Sequence, residues 1–173
     1  MTSLAVVGYT IERVGPADAA RVQPLFERCS DYMLLEEGEP TRPEAAEHSL
    51  TVVPAGRDFA DKFSFIISSD SAIIGAIDIF RDYPKPNEWW LGLLLLDPAT
   101  RGRGLGSRVM DALREWLVAQ DAHTLWLAVL ETNPRAERFW RAQGFAETER
   151  QPFTAATGFE TRVVLMKAAL AAA

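Results

Sequence analysis

Leu91-Gly-Leu-Leu-Leu-Leu-Asp-Pro-Ala-Thr-Arg-Gly-Arg-Gly-Leu-Gly-Ser107 is the stretch on which the reading of the whole chain turns. The consecutive leucines Leu93 to Leu96 predict a strand buried on both faces, and Pro98 ends it because proline has no N–H to give to a ladder. Gly102, Gly104 and Gly106 then put small residues where a backbone can approach a ligand closely, just ahead of an amphipathic helix. Free N–H groups of the first helical turn, the positive end of the helix dipole, and Arg101 and Arg103 together make an anion-binding geometry. A P-loop would need Gly-Lys-Ser/Thr, whereas Gly106 is followed by Ser107 and Arg108. A dinucleotide fingerprint would need a third glycine where Ser107 stands.

Downstream, Leu105, Val109, Leu113, Trp116 and Leu117 share one face of the helix that opens at the glycine turn. Thr124 to Leu130 reads as another buried strand, and the order strand, helix, strand implies a parallel pair joined right-handed. Upstream, Phe63 to Ile67 and Ile73 to Phe80 form a hairpin around Asp70-Ser71, and Tyr83 to Asn87 turns the chain into the leucine strand. Three adjacent antiparallel strands are expected there. A first strand spans Tyr9 to Val14, and a helix starting near Ala17 or Asp18 buries Val22, Leu25, Phe26 and Cys29. From Asp31 to Phe59 the pattern loosens. It holds a short apolar piece, Tyr32 to Leu35, the acidic Glu36, Glu37 and Glu39, and a short helix over Pro43 to Leu50. Ala168 to Ala173 reads as a strand end and a frayed tail.

The 173 residues suit one domain, with 48% apolar and 24% charged residues as in a soluble globular protein. The net charge of −6 argues against general nucleic-acid binding. Seven arginines nevertheless fall between Arg101 and Arg141, a concentration that suits a small anionic ligand. Cys29, the only cysteine, can form no internal disulfide and is expected to be a buried structural thiol. His48 and His123 are far apart without companion ligands, so no metal is expected. Neither a signal peptide nor a membrane-length apolar run is present in the sequence, which makes a cytoplasmic protein without membrane attachment the expectation.

A second motif follows the strand ending near Leu130. Asn133 suits an N-cap, Pro134 the first helical position and Gly144 the left-handed residue past the last turn, so a short helix is bounded at both ends. Ala136, Phe139 and Trp140 share one side of it, and Arg135, Arg138 and Arg141 run along the other. By themselves these features fit a structural helix with a solvated basic face.

Together, Arg-x-x-Gly-x-Gly at Arg101, Gly104 and Gly106 and Asn-x-x-Ala-x-x-Phe-aromatic-x-x-x-Gly-Phe from Asn133 to Phe145 resemble the two signatures of the GNAT superfamily of N-acyltransferases. The resemblance covers most of the chain and implies a single domain over residues 1–173. Its fold would be α/β, a mixed, mostly antiparallel sheet flanked by helices and splayed at one parallel strand pair. Acetyl-CoA would lie in the splay as acyl donor, with no metal. The resemblance puts the pyrophosphate on Gly102, Arg103, Gly104, Leu105, Gly106 and Ser107, with Arg101 and Arg103 as cations. It puts the pantetheine arm along Leu94 to Leu96, Asn133 and Trp140 beside the cofactor, and Arg138 near a phosphate.

Two positions depart from the family pattern. Trp140 stands where many members have a tyrosine that protonates the departing thiolate, and an indole N–H is no usable acid. Thiolate is a fair leaving group, which allows transfer without a dedicated acid, and Tyr83 and Tyr32 are the substitutes available. Ala128 occupies a strand position where some relatives acting on protein N-termini carry a glutamate. For the base that deprotonates the amine, Glu88 ranks first because Trp89 and Trp90 could desolvate it, followed by Glu131 and Asp82. The implied activity is acetyl transfer to a primary amine by direct attack, with the acidic segment favouring a small cationic acceptor. A protein or peptide amine and a non-catalytic acyl-CoA binding module are the alternatives, and a homodimer is compatible with all three.

Overall fold

A computed structural model describes residues 4–170; the N-terminal three residues and the tail at 171–173 lie outside it. The strands are β1 (Thr10–Val14), β2 (Lys62–Ser69), β3 (Ala72–Phe80), β4 (Glu88–Leu96), β5 (Thr124–Leu130), β6 (Ala146–Thr154) and β7 (Glu160–Ala169). The helices are α1 (Ala19–Arg28), α2 (Ser30–Glu37), α3 (Ala45–Thr51), α4 (Leu105–Val118) and α5 (Pro134–Ala142). The strands form one seven-stranded sheet in the order β1-β2-β3-β4-β5-β7-β6. Only β4 and β5 pair in parallel; the other neighbours are antiparallel, including the expected β2-β3-β4 run.

Each face of the sheet has its own apolar layer. On one side α4 inserts Val109, Met110, Leu113 and Leu117, all fully buried, against Trp89, Leu91, Leu125 and Leu127. The spacing of those four residues along α4 is the amphipathic stripe that a helix needs to lie on a sheet. Phe63, Trp89 and Trp116 add mutual tilted and edge contacts at 5.4 to 5.6 Å between ring centres. On the other side Val22, Leu25 and Phe26 of α1, Met33 of α2 and Leu50 of α3 cover Ile66, Ala76 and Leu95.

One departure from the sequence reading bears on function. Ser30–Glu37 is a helix that follows α1 almost without interruption, where a looser segment was expected. Gly38 ends it in the left-handed conformation, φ 73°. A Cβ at Gly38 would fall 2.5 Å from the Phe159 ring, so this glycine also lets the turn between β6 and β7 close over the end of α2. Thr157 fastens that contact, its hydroxyl donating to the Glu37 carbonyl at 2.8 Å.

Candidate active site

The site begins with an irregularity in β4. Pairing with β3 shifts register between Asp78–Leu93 and Ile79–Leu91, which makes Gly92 the extra residue of a bulge. Parallel pairing with β5 stops beside it, at Leu91–Leu127. A bulge bends its strand and sharpens the twist, so the two strands diverge beyond this point. The result is a groove of about 480 Å³ between Leu91–Leu96 and Leu127–Leu130.

At the mouth of the groove the chain leaves β4 through Asp97, whose side chain accepts from Ala99 N at 2.9 Å, and reaches the glycine turn. Gly102 and Gly104 have φ of 74° and 78°, a region that strains any residue with a Cβ. The N–H groups from Gly102 to Ser107 have no acceptor among the described residues, and the 14-residue α4 adds the positive end of its dipole. Gly106 has a different role from the other two. A Cβ there would lie 3.2 Å from the Phe139 ring, so its lack of a side chain lets α5 approach the start of α4. Gln143 strengthens this approach by donating to the Ser107 hydroxyl at 3.0 Å.

Most of the residues expected at the cofactor line this groove: Leu94, Leu96, Arg101, Gly102, Gly104, Gly106, Ser107, Asn133 and Trp140. Three do not. Leu105 turns into the core, and Arg103 and Arg138 are exposed away from the lining. The arginine that α5 brings to the loop is Arg135, whose guanidinium approaches within 3.9 Å of where a Gly102 Cβ would be. Arg101 is committed to the protein: it donates to the Leu96 carbonyl at 2.8 Å and pairs with Asp31 of α2 at 2.5 Å. It therefore clasps the glycine turn to α2. The Asn133 side chain accepts from Ala136 N at 3.1 Å and caps α5. Trp140, 9% exposed, packs edge-on against Phe139 and Phe145.

Of the residues expected to handle protons, Tyr32 lines the groove, and Glu88, Tyr83, Asp82 and Glu131 lie outside its lining. Glu88 sits at the closed end of the parallel pair, opposite Thr124, and its carboxylate accepts from the Trp126 indole at 2.9 Å. Leu94 lies six positions further along β4, roughly 20 Å of strand at ~3.3 Å per residue. Tyr83 stacks edge-on against Trp90 at 5.5 Å, and Asp82 accepts from Asn87 N at 2.8 Å within the preceding turn. Glu131 is close to the groove but bonded to Arg150 and Arg162 at 3.4 and 3.3 Å. Cys29 is fully buried, donates to the Leu96 carbonyl at 3.5 Å, and burial pushes its thiol up to about 11. At neutral pH it is a structural thiol.

A second, smaller chamber of about 200 Å³ opens on the opposite side of β4 and shares Gly92 and Leu93 with the groove. Its walls carry Glu36 and Glu37 of α2, Arg42, His48 of α3 and Asp78 of β3. Asp78 is held by Lys62 at 2.5 Å and by the Ser64 hydroxyl at 2.7 Å, and the Lys62 side chain is 1% exposed. Gly92 keeps this chamber continuous, since a Cβ there would stand 2.9 Å from Phe80 and 3.5 Å from the Asp78 carboxylate.

A sheet opened at one parallel pair, with a turn of acceptor-free N–H groups at the mouth of the opening, suits an extended ligand with an anionic end. A sequence model described as the Acetyltransferase (GNAT) family matches residues 24–145. Among solved structures, an acetyltransferase from Thermus thermophilus is 22% identical at a TM-score of 0.75, over 95% of this chain and 99% of that one. A GNAT-family acetyltransferase from Streptococcus pneumoniae is 22% identical at a TM-score of 0.67, over 94% of this chain and 99% of that one. The ribosomal-protein-S5-alanine acetyltransferase from Vibrio fischeri is 18% identical at a TM-score of 0.72, over 96% and 95% respectively. This chain belongs to the GNAT acetyltransferase family. It is an acyltransferase of a family that uses acetyl-CoA on amine substrates, and no helix of the described residues is long and apolar enough to cross a membrane.

Proposed function

We propose that this protein transfers the acetyl group of acetyl-CoA to a primary amine on a small cationic molecule, by direct attack of the amine on the thioester. The observation that carries the reading is the run of acceptor-free N–H groups from Gly102 to Ser107 at the mouth of the β4–β5 groove. These groups suit a pyrophosphate, and Arg135 adds a cation at the same loop. Beyond the bulge, β4 also has a backbone edge unpaired on its β5 side, which suits the amides of a pantetheine arm. When bound, the donor supplies an activated acyl group whose thiolate is a fair leaving group.

The remaining work belongs to the chain. Gly102 to Ser107 bind and orient the anionic end, and Leu94 and Leu96 exclude water from the reacting end. The acceptor enters from the carboxylate-lined chamber and meets the groove at Gly92 and Leu93. Glu36, which has no cationic partner among the described residues, favours a cationic acceptor there, and the size of the chamber favours a small amine over a folded protein terminus. The test measures free thiol from acetyl-CoA with a panel of polyamines, aminoglycosides and peptides. Release with small polycations supports the reading. Release with peptides alone transfers the activity to protein termini, and binding of acetyl-CoA with no release from any amine leaves a binding module.

A further inference from the structure

Neither wall of the donor groove offers a free base. Asp31 is the only carboxylate in its lining and is paired with Arg101, and the β5 wall carries the methyl group of Ala128. The acid that many family members place on α5 is replaced by Trp140. A side-chain base or acid for the reaction therefore has to come from another element.

Helix α2 lies between the two cavities. Tyr32 lines the donor groove and Glu36 lines the chamber, and one helical turn lets the Tyr32 hydroxyl donate to Glu36 Oε1 at 3.1 Å. No lysine or arginine among the described residues is within ion-pair distance of Glu36. The other charged and titratable groups of the chamber are engaged or set apart. Arg42 lies 3.1 Å from Glu44 and 4.0 Å from Glu37, Lys62 holds Asp78, and His48 faces in from α3. Resting on the acetyl-transfer reading above, we propose that Tyr32 and Glu36 are the catalytic proton-handling pair: Glu36 takes the proton of the incoming ammonium and Tyr32 returns one to the departing thiolate.

The step balances without another reactant. The Glu36 carboxylate accepts one N–H proton of the ammonium, which frees the nitrogen lone pair to form the C–N bond at the thioester carbon. As the C–S bond breaks with its electron pair on sulfur, the Tyr32 hydroxyl gives its proton to that sulfur and takes the proton held by Glu36. Glu36 is ionised again, and the second proton lost by nitrogen goes to water. The environment suits these roles. Burial pushes the Glu36 carboxyl up to about 7, and burial together with Glu36 raises Tyr32 well above the ordinary tyrosine range. A base poised near neutrality matches a reaction run there. Tyr32 on its own would be a weak acid toward a thiolate; coupled to protonated Glu36 it becomes a relay.

The experiment compares the parent, Glu36→Gln and Tyr32→Phe proteins with spermidine as acceptor, and follows the Glu36 carboxyl by carbon NMR in the protein without donor. Thermal unfolding and acetyl-CoA affinity of both variants should match the parent or exceed it, showing that the fold and donor groove survive. The parent is expected to show a rise of kcat/KM with pH near 7, and Glu36→Gln should abolish that rise and lower turnover about 100-fold, within the range for a positioned acid or base. In Tyr32→Phe the Glu36 carboxyl should titrate higher than in the parent, because the hydroxyl that stabilises its ionised form is gone. A Glu36 carboxyl titrating near 4.5 in the parent, or a Glu36→Gln enzyme that keeps both its turnover and its pH inflection, overturns the assignment. A parent that binds acetyl-CoA but acetylates neither spermidine nor any other amine overturns acetyl transfer itself, and the pair's catalytic role with it.

Discussion

The two halves of β4 make an instructive comparison. From Glu88 to Leu91 the strand is paired with β5 throughout and with β3 at Trp90 and Leu91, with Trp89 and Leu91 in the core and the Glu88 carboxylate satisfied by an indole. From Gly92 to Leu96 the composition is more apolar still, yet this half has lost its β5 neighbour and lines a groove. A buried strand and a groove-lining strand thus differ here by one inserted residue. On the proposed reading the donor follows the missing neighbour, and Glu88, the acidic residue of the strand, lies in the other half.

The largest blow to the open half should come from Gly106→Val. Its Cβ would press on Phe139 at 3.2 Å, and the added methyls would wedge α5 off the start of α4, an overpacking cost of ~1–3 kcal/mol. Acetyl-CoA affinity measured by calorimetry should fall by tenfold or more. Gly104→Val should lose about as much affinity through strain at φ 78° and shielding of the N–H groups, but with no clash in the core. Unchanged affinity in either folded variant would remove the anion-binding assignment of the turn.

A second expectation concerns stability beside the open half. Glu36 has an ordinary value of 4.5 and a folded value of about 7, so between those pH values the folded protein holds more protons than the unfolded chain. Stability from this group is therefore complete below about 4.5 and declines as pH rises through about 7. Glu36→Gln removes the decline. At pH 8 the variant should be more stable than the parent by ~1–3 kcal/mol, allowing for partial solvent screening, and the gap should close toward pH 4.5 in urea titrations.

Trp140 should show a smaller effect. Tyrosine and phenylalanine both leave part of its volume empty between Phe139 and Phe145, at similar cost in stability. Because the proton is handled from α2, the two variants should have comparable turnover, within about tenfold of the parent, or ~1.4 kcal/mol in the barrier. A Trp140→Tyr enzyme much faster than Trp140→Phe would show that an acid on α5 is limiting. Glu88→Gln should have the smallest effect of all, turnover within about twofold of the parent and the same pH profile, since its work is a hydrogen bond in the closed half. A large loss there would erase the functional division of β4.

The elements that local chemistry defines were legible in the sequence. Asn133, Pro134 and Gly144 bound α5 by their own local chemistry, and the turn at Gly102, Gly104 and Gly106 shows as alternate glycines just ahead of an amphipathic helix. What escaped depends on contacts between distant segments. Arg101 reads as a ligand cation until Asp31, 70 residues away, is brought against it. Which arginine of α5 meets the loop depends on the rotation of that helix, which puts Arg135 on the groove and Arg138 off it. Helix α2 was hidden because Met33 is its only fully buried residue and Leu34 faces solvent, so its hydrophobic pattern is faint. With the helix unseen, the one-turn spacing of Tyr32 and Glu36 had no meaning.

The bulge at Gly92 has a mechanical consequence. Strands β1 to β4 form one plank and β5 to β7 another, and the ladder joining them runs only from Glu88–Thr124 to Leu91–Leu127, whereas β5 and β7 are zipped from Thr124–Ala169 to Leu130–Val163. The sheet is thus a pair of boards joined along a short seam, the shortest of its ladders. Anything seated in the wedge lengthens the seam and stiffens the joint. The groove would then tighten on its occupant by a scissoring of the two boards, without the need for a separate lid.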